Sequence, residues 1–269
     1  MSANDRRLGD AISIPGDYQL RAARSSNPVQ RFWHATKKIV VDQMLPSAPG
    51  ELVVDAGCGS GVIADYLAAS GAEVMGVDAN PEAIGFATSE FARPNLRFVR
   101  GLVDDEMTLD RPVDKFYSLE VIEHVYRPQG VAMLRNFHRL LRPGGRALIT
   151  TPNYRSFWPL LEWTLDTFHL APKMAGEQHV EHYGRRKLAA AAREAGFATS
   201  TIRTICLVSP WVAPLSWSLA TRMAKAELRL PPPLGCILVA VLTKSALGSA
   251  PEGGRAHTLS GRSDDEVTG

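Results

Sequence analysis

Two carboxylates and an imidazole stand close together in the segment Glu120-Val-Ile-Glu123-His124. If this segment enters a helical turn, the three side chains occupy positions i, i+3 and i+4 and converge on one face. Such a group could bind a divalent cation, and the histidine could also accept a proton near neutral pH. A further histidine is needed to complete a metal site, and a later segment supplies both His179 and His182.

A glycine-rich stretch is the second group of residues that could do chemistry. Asp55 is followed by Gly57, Gly59 and Gly61, between a short apolar run and a segment of helical spacing, so the glycines fill a strand-to-helix turn. Glycines let the backbone approach a ligand closely, and the helix N-terminus offers unpaired N–H groups. Asp78 ends the next apolar run, where a carboxylate can accept hydrogen bonds from both hydroxyls of a ribose. The stretch therefore predicts a nucleoside cofactor.

The spacing of the glycines separates two kinds of nucleoside site. Dinucleotide enzymes use the pattern G-x-G-x-x-G, and this chain has no glycine at the third position of that pattern. Asp-x-Gly-x-Gly-x-Gly, followed by Gly-Val-Asp at 76–78, resembles the cofactor loop of class I S-adenosylmethionine-dependent methyltransferases. The simpler alternative is a structural glycine turn in which Asp78 only caps a helix.

The resemblance covers residues 30–244 and implies S-adenosyl-L-methionine as the cofactor. The residues that it assigns to cofactor binding are Asp55, Gly57, Gly59, Gly61, Asp78, Ala79, Leu102, Val103 and Glu120. Asn80 could orient the adenosine or could instead N-cap the helix that begins at Pro81.

The carboxylate and histidine segment carries two further resemblances. Glu-x-x-Glu-His followed by a later histidine resembles the small-RNA 2'-O-methyltransferases, in which a cation holds a vicinal diol. That resemblance implies Mg²⁺ or Mn²⁺ on Glu120, Glu123, His124 and His182, with His179 as the substitute if the loop register differs. Glu-Val-Ile-Glu-His-Val also resembles the quinone-biosynthesis O-methyltransferases of the 3-demethylubiquinone type, which act on catechol-like rings.

A metal-free site is the alternative to the cation. In it His124 is a general base or a helix cap, Glu120 contacts the amino acid end of the cofactor, and His182 covers the pocket. In either case His124 and Glu120 are the predicted catalytic residues.

Alternating strand and helix patterns must position all of these residues. Strands are predicted at 51–54, 72–77, 96–99, 113–119, 146–150, 197–205 and 237–243, and helices at 30–45, 63–69, 81–91, 130–141 and 185–195. This alternation predicts an α/β fold with a Rossmann-like, doubly wound, mostly parallel sheet. The resemblance adds an antiparallel last strand.

The 269 residues agree with one domain and additions to it. We expect an N-terminal extension over 1–29, partly disordered, and a methyltransferase domain over 30–244. The tail at 245–269 is expected to be disordered, because it has almost no large apolar residues to bury. Three cysteines without a metal-like pair favour a reducing compartment, and 1–16 contains no apolar signal core, so a cytoplasmic location is expected.

Two apolar insertions, at about 154–175 and 204–230, bear on the acceptor. The stretch 204–221 carries no charge, but Pro210 and Pro214 interrupt it, and spanning a bilayer takes roughly 20 apolar residues. A lid over the pocket or a peripheral contact with the inner face of the membrane fits this composition, and ordinary core packing is the alternative.

The predicted function is methyl transfer to a hydroxyl oxygen of a hydrophobic small molecule such as a quinone precursor, a polyketide or a glycolipid. The alternatives are an RNA 2'-O-methyltransferase with a divalent metal and a non-catalytic protein that binds S-adenosylmethionine. The net charge is only +2, so no nucleic-acid partner is favoured.

Overall fold

The computed structural model describes residues 15–167, 179–230 and 234–246. The helices of this part are α1 Tyr18–Ala23, α2 Pro28–Met44, α3 Val62–Ala68, α4 Pro81–Glu90, α5 Arg127–Leu140, α6 Trp158–Thr167, α7 Arg185–Glu194, α8 Ser209–Val212 and α9 Trp217–Glu227. The strands are β1 Leu52–Ala56, β2 Glu73–Asp78, β3 Leu96–Arg100, β4 Val113–Leu119, β5 Leu141–Pro152, β6 Thr199–Ile205 and β7 Ile237–Thr243, and a 3₁₀ turn at Ile122–His124 follows β4.

The seven strands form one sheet in the order β3-β2-β1-β4-β5-β7-β6. The first five strands of the chain pair in parallel, and β7 lies antiparallel between β5 and β6. The predicted doubly wound sheet with an antiparallel last strand is thus confirmed. The strand order reverses between β1 and β4, and sheets of this kind bind ligands beyond the carboxyl ends of the strands at such a point.

Helices cover both faces of the sheet, which is why its central strands are apolar throughout. In β1 the side chain of Val53 joins the cluster under α2, α3 and α9, and Val54 joins the cluster under α5 and α7. All five residues of β1 are buried. The central strands are therefore fixed from both sides, and their carboxyl ends give the loops a rigid base.

Two boundaries differ from the prediction by three residues or more, for identifiable reasons. Helix α5 begins at Arg127 rather than at residue 130, because Pro128 suits a first helical turn, where its missing N–H is not needed. Strand β5 begins at Leu141 rather than at 146, and its pairing with β4 shifts register between Val113 and Lys115. This irregularity takes up the Arg-Pro-Gly-Gly segment at 142–145 within the strand.

Some predictions fall on residues outside the described ranges. These include the first fourteen residues of the N-terminal extension, part of the insertion at 154–175 and nearly all of the tail at 245–269. Within the described ranges, no helix combines the length and the apolar character needed to cross a bilayer.

Candidate active site

The glycine-rich loop leaves β1 in a conformation that only glycine adopts easily. Gly57, Gly59 and Gly61 have φ angles of 76°, 49° and 80°, all in the left-handed region. The N–H groups of Gly57 and of Cys58 both donate to the carbonyl of Val77, at 2.8 and 3.1 Å, which ties the loop to β2. The glycines are therefore required by the path of the backbone itself.

Gly57 also has no room for a side chain. A Cβ atom there would lie 2.4 Å from Cγ2 of Val121, well inside contact distance. Val121 directly precedes the 3₁₀ turn that carries Glu123 and His124. The close approach of Gly57 thus joins the glycine-rich loop to the carboxylate and histidine segment.

Asp78 holds the loop from the end of β2. Its Oδ2 accepts a hydrogen bond from the N–H of Gly59 at 2.8 Å, and its Oδ1 accepts one from the N–H of Asn80 at 2.9 Å. Each carboxylate oxygen keeps a second acceptor direction, so Asp78 can still receive ligand hydroxyls. Asn80 caps α4, since its side chain accepts from the N–H groups of Glu82 and Ala83.

The two residues that are expected near an adenine, Leu102 and Val103, differ in solvent exposure. Leu102 is 48% exposed, whereas Val103 is buried in the core cluster of the α5 face. Leu102 can therefore pack against a ligand through its side chain. Val103 instead anchors the turn after β3 on which Leu102 stands.

Asp55 lies beneath the loop with 2% of its surface exposed. Burial raises its pKa to about 7, and the neighbouring Asp78 adds to this rise, while Lys37 and a hydrogen bond from the Ala64 N–H oppose it. Its Oδ2 has no hydrogen-bond partner among the described residues. A buried oxygen in this state is a ready acceptor for a donor on a ligand.

Glu120 follows β4 with a φ angle of 62°, which is unusual for a residue with a side chain. Its carboxylate forms an ion pair with Lys37 of α2, with Nζ 2.7 Å from Oε2. Burial raises the pKa of Glu120, but the charge and hydrogen bond of Lys37 more than offset this effect, so the pKa lies below its ordinary value. The pair closes the space between α2 and the carboxyl end of β4.

Lys37 was not among the predicted site residues, although the sequence contains a signal for it. Lys37 lies one turn before Val40 and Val41, on the face of α2 that is buried. A lysine on a buried helix face needs a partner of opposite charge.

Glu123, His124 and His179 form the most concentrated group of possible ligands. One donor atom from each lies within 4.8 Å of those of the other two, and the two imidazole rings are 5.2 Å apart. Both oxygens of the buried Glu123 carboxylate lack a hydrogen-bond partner among the described residues. The N–H groups of Val180 and Glu181 donate to the carbonyl of Glu123, at 3.0 and 3.1 Å, and these bonds bring the His179 segment to the 3₁₀ turn.

The structure groups the predicted ligands differently from the expected set. Glu120 pairs with Lys37, because its left-handed backbone interrupts the helical phase before the 3₁₀ turn, so the expected helical face does not include it. His182 stacks on Tyr154, with centroids 3.9 Å apart and planes at 15°, and His179 takes the place beside His124. The hydroxyl of Tyr154 shares a hydrogen bond of 3.0 Å with Nδ1 of His179.

Helix α1 lies against the glycine-rich loop. The N–H of Gln19 donates to Oγ of Ser60 at 3.1 Å, and the Gln19 side chain occupies the space where Gly59 would carry a Cβ. Tyr18 meets His34 of α2 edge-on, with ring centroids 6.2 Å apart. Sequence reasoning missed these contacts, because α1 has only six residues and one buried side chain, too few for a periodic pattern.

The family model described as "Methyltransferase domain" matches residues 30–202. A probable S-adenosylmethionine-dependent methyltransferase of Mycolicibacterium smegmatis is 27% identical over 177 residues, which are 66% of this chain and 66% of that protein. A ubiquinone biosynthesis O-methyltransferase of Bordetella avium is 26% identical over 191 residues, which are 69% of this chain and 75% of that protein.

A solved structure of an S-adenosylmethionine-dependent methyltransferase from Thermotoga maritima, possibly a histamine N-methyltransferase by its description, shares the fold. Its TM-score is 0.60 at 19% identity, over 81% of this chain and 91% of that one. The matched segments span 66% and 53% of the first mycobacterial relatives' own length.

Proposed function

This chain belongs to the class I S-adenosylmethionine-dependent methyltransferases, in the Methyltransferase domain family, and we propose that it methylates a hydroxyl oxygen of a hydrophobic small molecule. The observation that carries this proposal is the group of Glu123, His124 and His179 beyond the carboxyl end of β4. A hydroxyl acceptor must lose its proton during transfer, and this group offers imidazoles to receive it.

The proposed cofactor site is the glycine-rich loop with Asp78, beside the point where the strand order reverses. The backbone of Gly57 and Gly59 contacts the cofactor, Asp78 accepts bonds from the ribose hydroxyls, and Leu102 packs on the adenine. The orphaned oxygen of Asp55 supports a role toward the cofactor's ammonium group. The remaining proposed contacts are Gly61, Ala79, Val103 and Glu120.

Methyl transfer requires that the acceptor oxygen be aligned with the methyl carbon and that the acceptor hydroxyl lose one proton. The positive sulfonium makes the methyl carbon electrophilic, so holding the acceptor oxygen in line supplies much of the rate. In our proposal His124 receives the proton of the acceptor hydroxyl. Glu120 keeps Lys37 beside the cofactor end of the site, and the hydrogen bond with Tyr154 orients His179.

The same residues fit a divalent cation such as Mg²⁺ or Mn²⁺. Buried carboxylate oxygens are normally satisfied, and both Glu123 oxygens lack partners among the described residues, next to two imidazoles. Glu123, His124 and His179 would hold the ion; Glu120 and His182 would join them only by leaving Lys37 and Tyr154. When bound, such a cation would lower the pKa of a coordinated hydroxyl. A metal-free His124 base is the alternative within the same proposal.

An exposed apolar surface supports a hydrophobic acceptor and a peripheral membrane contact. Segments α6 and α8–α9 carry this surface, and they pack on adjacent residues of α2 through the ring pairs Trp33–Trp158 and Phe32–Trp217, at 5.5 and 5.0 Å. Its exposed side chains are Phe157, Leu160, Trp163, Trp211, Leu215 and Leu219. Surfaces of this kind mark contact sites for apolar ligands or membranes. The similarity to ubiquinone biosynthesis O-methyltransferases favours a catechol-like acceptor ring.

The test uses the full chain, S-adenosylmethionine and an alkyl ester of 3,4-dihydroxybenzoic acid, with added Mn²⁺ or with EDTA. We expect a methyl ether product by mass spectrometry and S-adenosylhomocysteine in equal amount. His124→Gln should lower turnover about 10²- to 10⁴-fold and leave S-adenosylhomocysteine binding unchanged in calorimetry. His138→Gln is the matched control, because His138 lies on α5 against Phe197.

The role of a metal ion is tested by a separate measurement. Binding of Mn²⁺, followed by electron paramagnetic resonance, should disappear in Glu123→Gln, and full turnover in EDTA would assign the metal-free route. If S-adenosylhomocysteine binds but no catechol, phenol or alcohol is methylated, the hydroxyl acceptor is wrong and the non-catalytic alternative gains support.

A further inference from the structure

A cavity of about 1010 Å³ opens beside the proposed acceptor site, and its lining is strongly basic. Eleven of the described residues line it, including Arg155, Arg185, Arg186 and Lys187, and none of these eleven is acidic. The volume is at the upper end of the range for small-molecule sites. The lining of one cavity thus contains four cationic side chains.

Three of these cations have no counterion among the residues that the structure describes. Lys187 pairs with Glu181, but no carboxylate of the described residues pairs with Arg155, Arg185 or Arg186. The three arginines are exposed and line the cavity. Cationic groups that line one cavity repel one another, and an anion bound between them would offset that repulsion.

The helix geometry increases the same positive potential. Arg185, Arg186 and Lys187 make up the first turn of α7, which has no acidic residue and no side-chain cap on its N-cap residue, Gly184. Cations at a helix N-terminus oppose the helix dipole, and an anion there is favoured. The sequence therefore places charges where they destabilise α7 by themselves and would stabilise a bound anion.

The cavity is connected to the proposed acceptor site through Tyr154. Tyr154 and His182 both line the cavity and stack on each other, and the Tyr154 hydroxyl bonds to His179. Leu238 adds an apolar contact to the wall. A ligand could lie along the stacked rings, with its charged end at the arginines and its hydroxyl near His179.

We propose that this cavity binds an anionic group, a phosphate or a carboxylate, carried by the small-molecule acceptor. Arg155, Arg185 and Arg186 hold the anion, and the Tyr154–His182 stack packs against the body of the molecule. The acceptor is then amphiphilic, with an apolar part for the exposed surface of α6 and α8–α9. The identification of the bound molecule as the methyl acceptor rests on the proposed function. The anion site itself does not depend on it.

The test measures binding without turnover. Phenyl phosphate, benzoate and the neutral probe benzyl alcohol are titrated into the full chain by calorimetry at low salt. Phenyl phosphate or benzoate should bind, and the tighter of the two identifies the anion, while benzyl alcohol should bind at least tenfold more weakly. The paired variant Arg185→Gln/Arg186→Gln and the single variant Arg155→Gln should each weaken anion binding tenfold or more.

The control is Arg193→Gln, an exposed arginine at the other end of α7 that does not line the cavity. It should change affinity less than twofold. Removing Arg185 and Arg186 should also leave the melting temperature equal or higher, since α7 loses unfavourable charges, so weaker binding cannot be ascribed to unfolding. Equal affinity in all variants, or equal binding of benzyl alcohol, overturns the anion site.

A single-stranded RNA pentamer tests the source of the anion. If it binds more than tenfold tighter than phenyl phosphate through the same arginines, the small-molecule assignment is overturned. Arginine-dependent binding of phenyl phosphate with no methylation of any hydroxyl acceptor would leave the anion site in place and defeat only the proposed function.

Discussion

The two halves of the proposed site are built in different ways. The cofactor half is made mainly of backbone from two neighbouring strand ends, with Gly57, Gly59 and Asp78 within one short stretch of the chain. The acceptor half is made of side chains from segments far apart in sequence, including His124, Tyr154 and His179. One half is thus a local motif, and the other exists only after the chain has folded.

This difference matches the chemistry that we propose for each half. A cofactor that is common to a family can be held by a rigid loop, such as the one that the left-handed glycines form here. Acceptors vary, and side chains on connecting segments can change without disturbing the sheet. The contacts at the junction of the halves include Gly57 against Val121 and the ion pair of Lys37 with Glu120.

Breaking the first of these contacts should have the largest effect. Gly57→Ala places a side chain in a left-handed conformation, at about 1–2 kcal/mol, and forces its Cβ against Val121, at about 1–3 kcal/mol. We expect S-adenosylhomocysteine affinity, measured by calorimetry, to fall about a hundredfold or more. Gly85→Ala in α4 is the control, since a Cβ there meets nothing within 4 Å. Affinity within threefold of the parent would show that the loop tolerates the change.

The second contact tests whether the halves depend on a charge pair. Lys37→Met leaves the Glu120 carboxylate without its cation in a mostly buried place, and unfolding free energy in urea should drop by about 3 kcal/mol. Lys37→Met/Glu120→Gln should recover most of that loss, because no charge is then left unpaired. If the double variant is as unstable as the single one, the loss does not come from an unpaired Glu120 charge, and the ion pair itself stabilises the fold.

The same contrast decides how much could be predicted from sequence. The order of the strands and of the five predicted helices, the glycine loop and Asp78 followed from short patterns, because periodicity and turn glycines are local properties. The position of the Glu123–His124–His179 group was only partly predictable. Both histidine candidates, His179 and His182, were visible, but the backbone bonds from Val180 and Glu181 to Glu123 select between them.

Residues missed in the sequence have a common physical reason. The role of Lys37 depends on the left-handed turn at Glu120, and the cover that Gln19 provides depends on a six-residue helix. Lys37 itself stands out as a charged residue on a buried helix face, but neither the turn at Glu120 nor the short helix leaves a periodic signal in the chain. The basic cavity was missed as well, because Arg155 approaches Arg185 and Arg186 only through the tertiary fold.

Glu227 of α9 allows the α8–α9 segment, which carries part of the exposed apolar surface that we assign to the acceptor, to be weakened without touching the loop. Its buried carboxylate accepts four hydrogen bonds, from the N–H groups of Leu207, Val208 and Ser209 and from the Ser209 hydroxyl. Glu227→Gln turns one acceptor oxygen into a donor that faces other donors, so we expect a loss of about 2 kcal/mol in urea unfolding. The exposed pair residue Glu90 supplies the control Glu90→Gln, with a change below about 0.5 kcal/mol. S-adenosylhomocysteine binding should be unchanged, and a parallel loss of binding would mean that the halves are not separable.

The smallest expected effect concerns pH and belongs to the cofactor half alone. The pKa of Asp55 is raised to about 7, so without ligand its carboxyl is protonated below that pH and ionised above it. Since Asp55 ionises near its ordinary pKa in the unfolded chain, its contribution to stability is present at low pH and is lost as the pH rises toward 7.

Cofactor binding should change with pH in the opposite direction, because only the ionised form of Asp55 attracts an ammonium group of the cofactor. We expect S-adenosylhomocysteine affinity to rise about tenfold from pH 6 to pH 8, which is the change for one pH unit below the pKa. In Asp55→Asn this slope should vanish, while His34, whose pKa burial lowers to about 4, stays neutral throughout and contributes none of it. A slope that persists in Asp55→Asn would assign the titration to the ligand or to another group and would remove Asp55 from the ammonium contact.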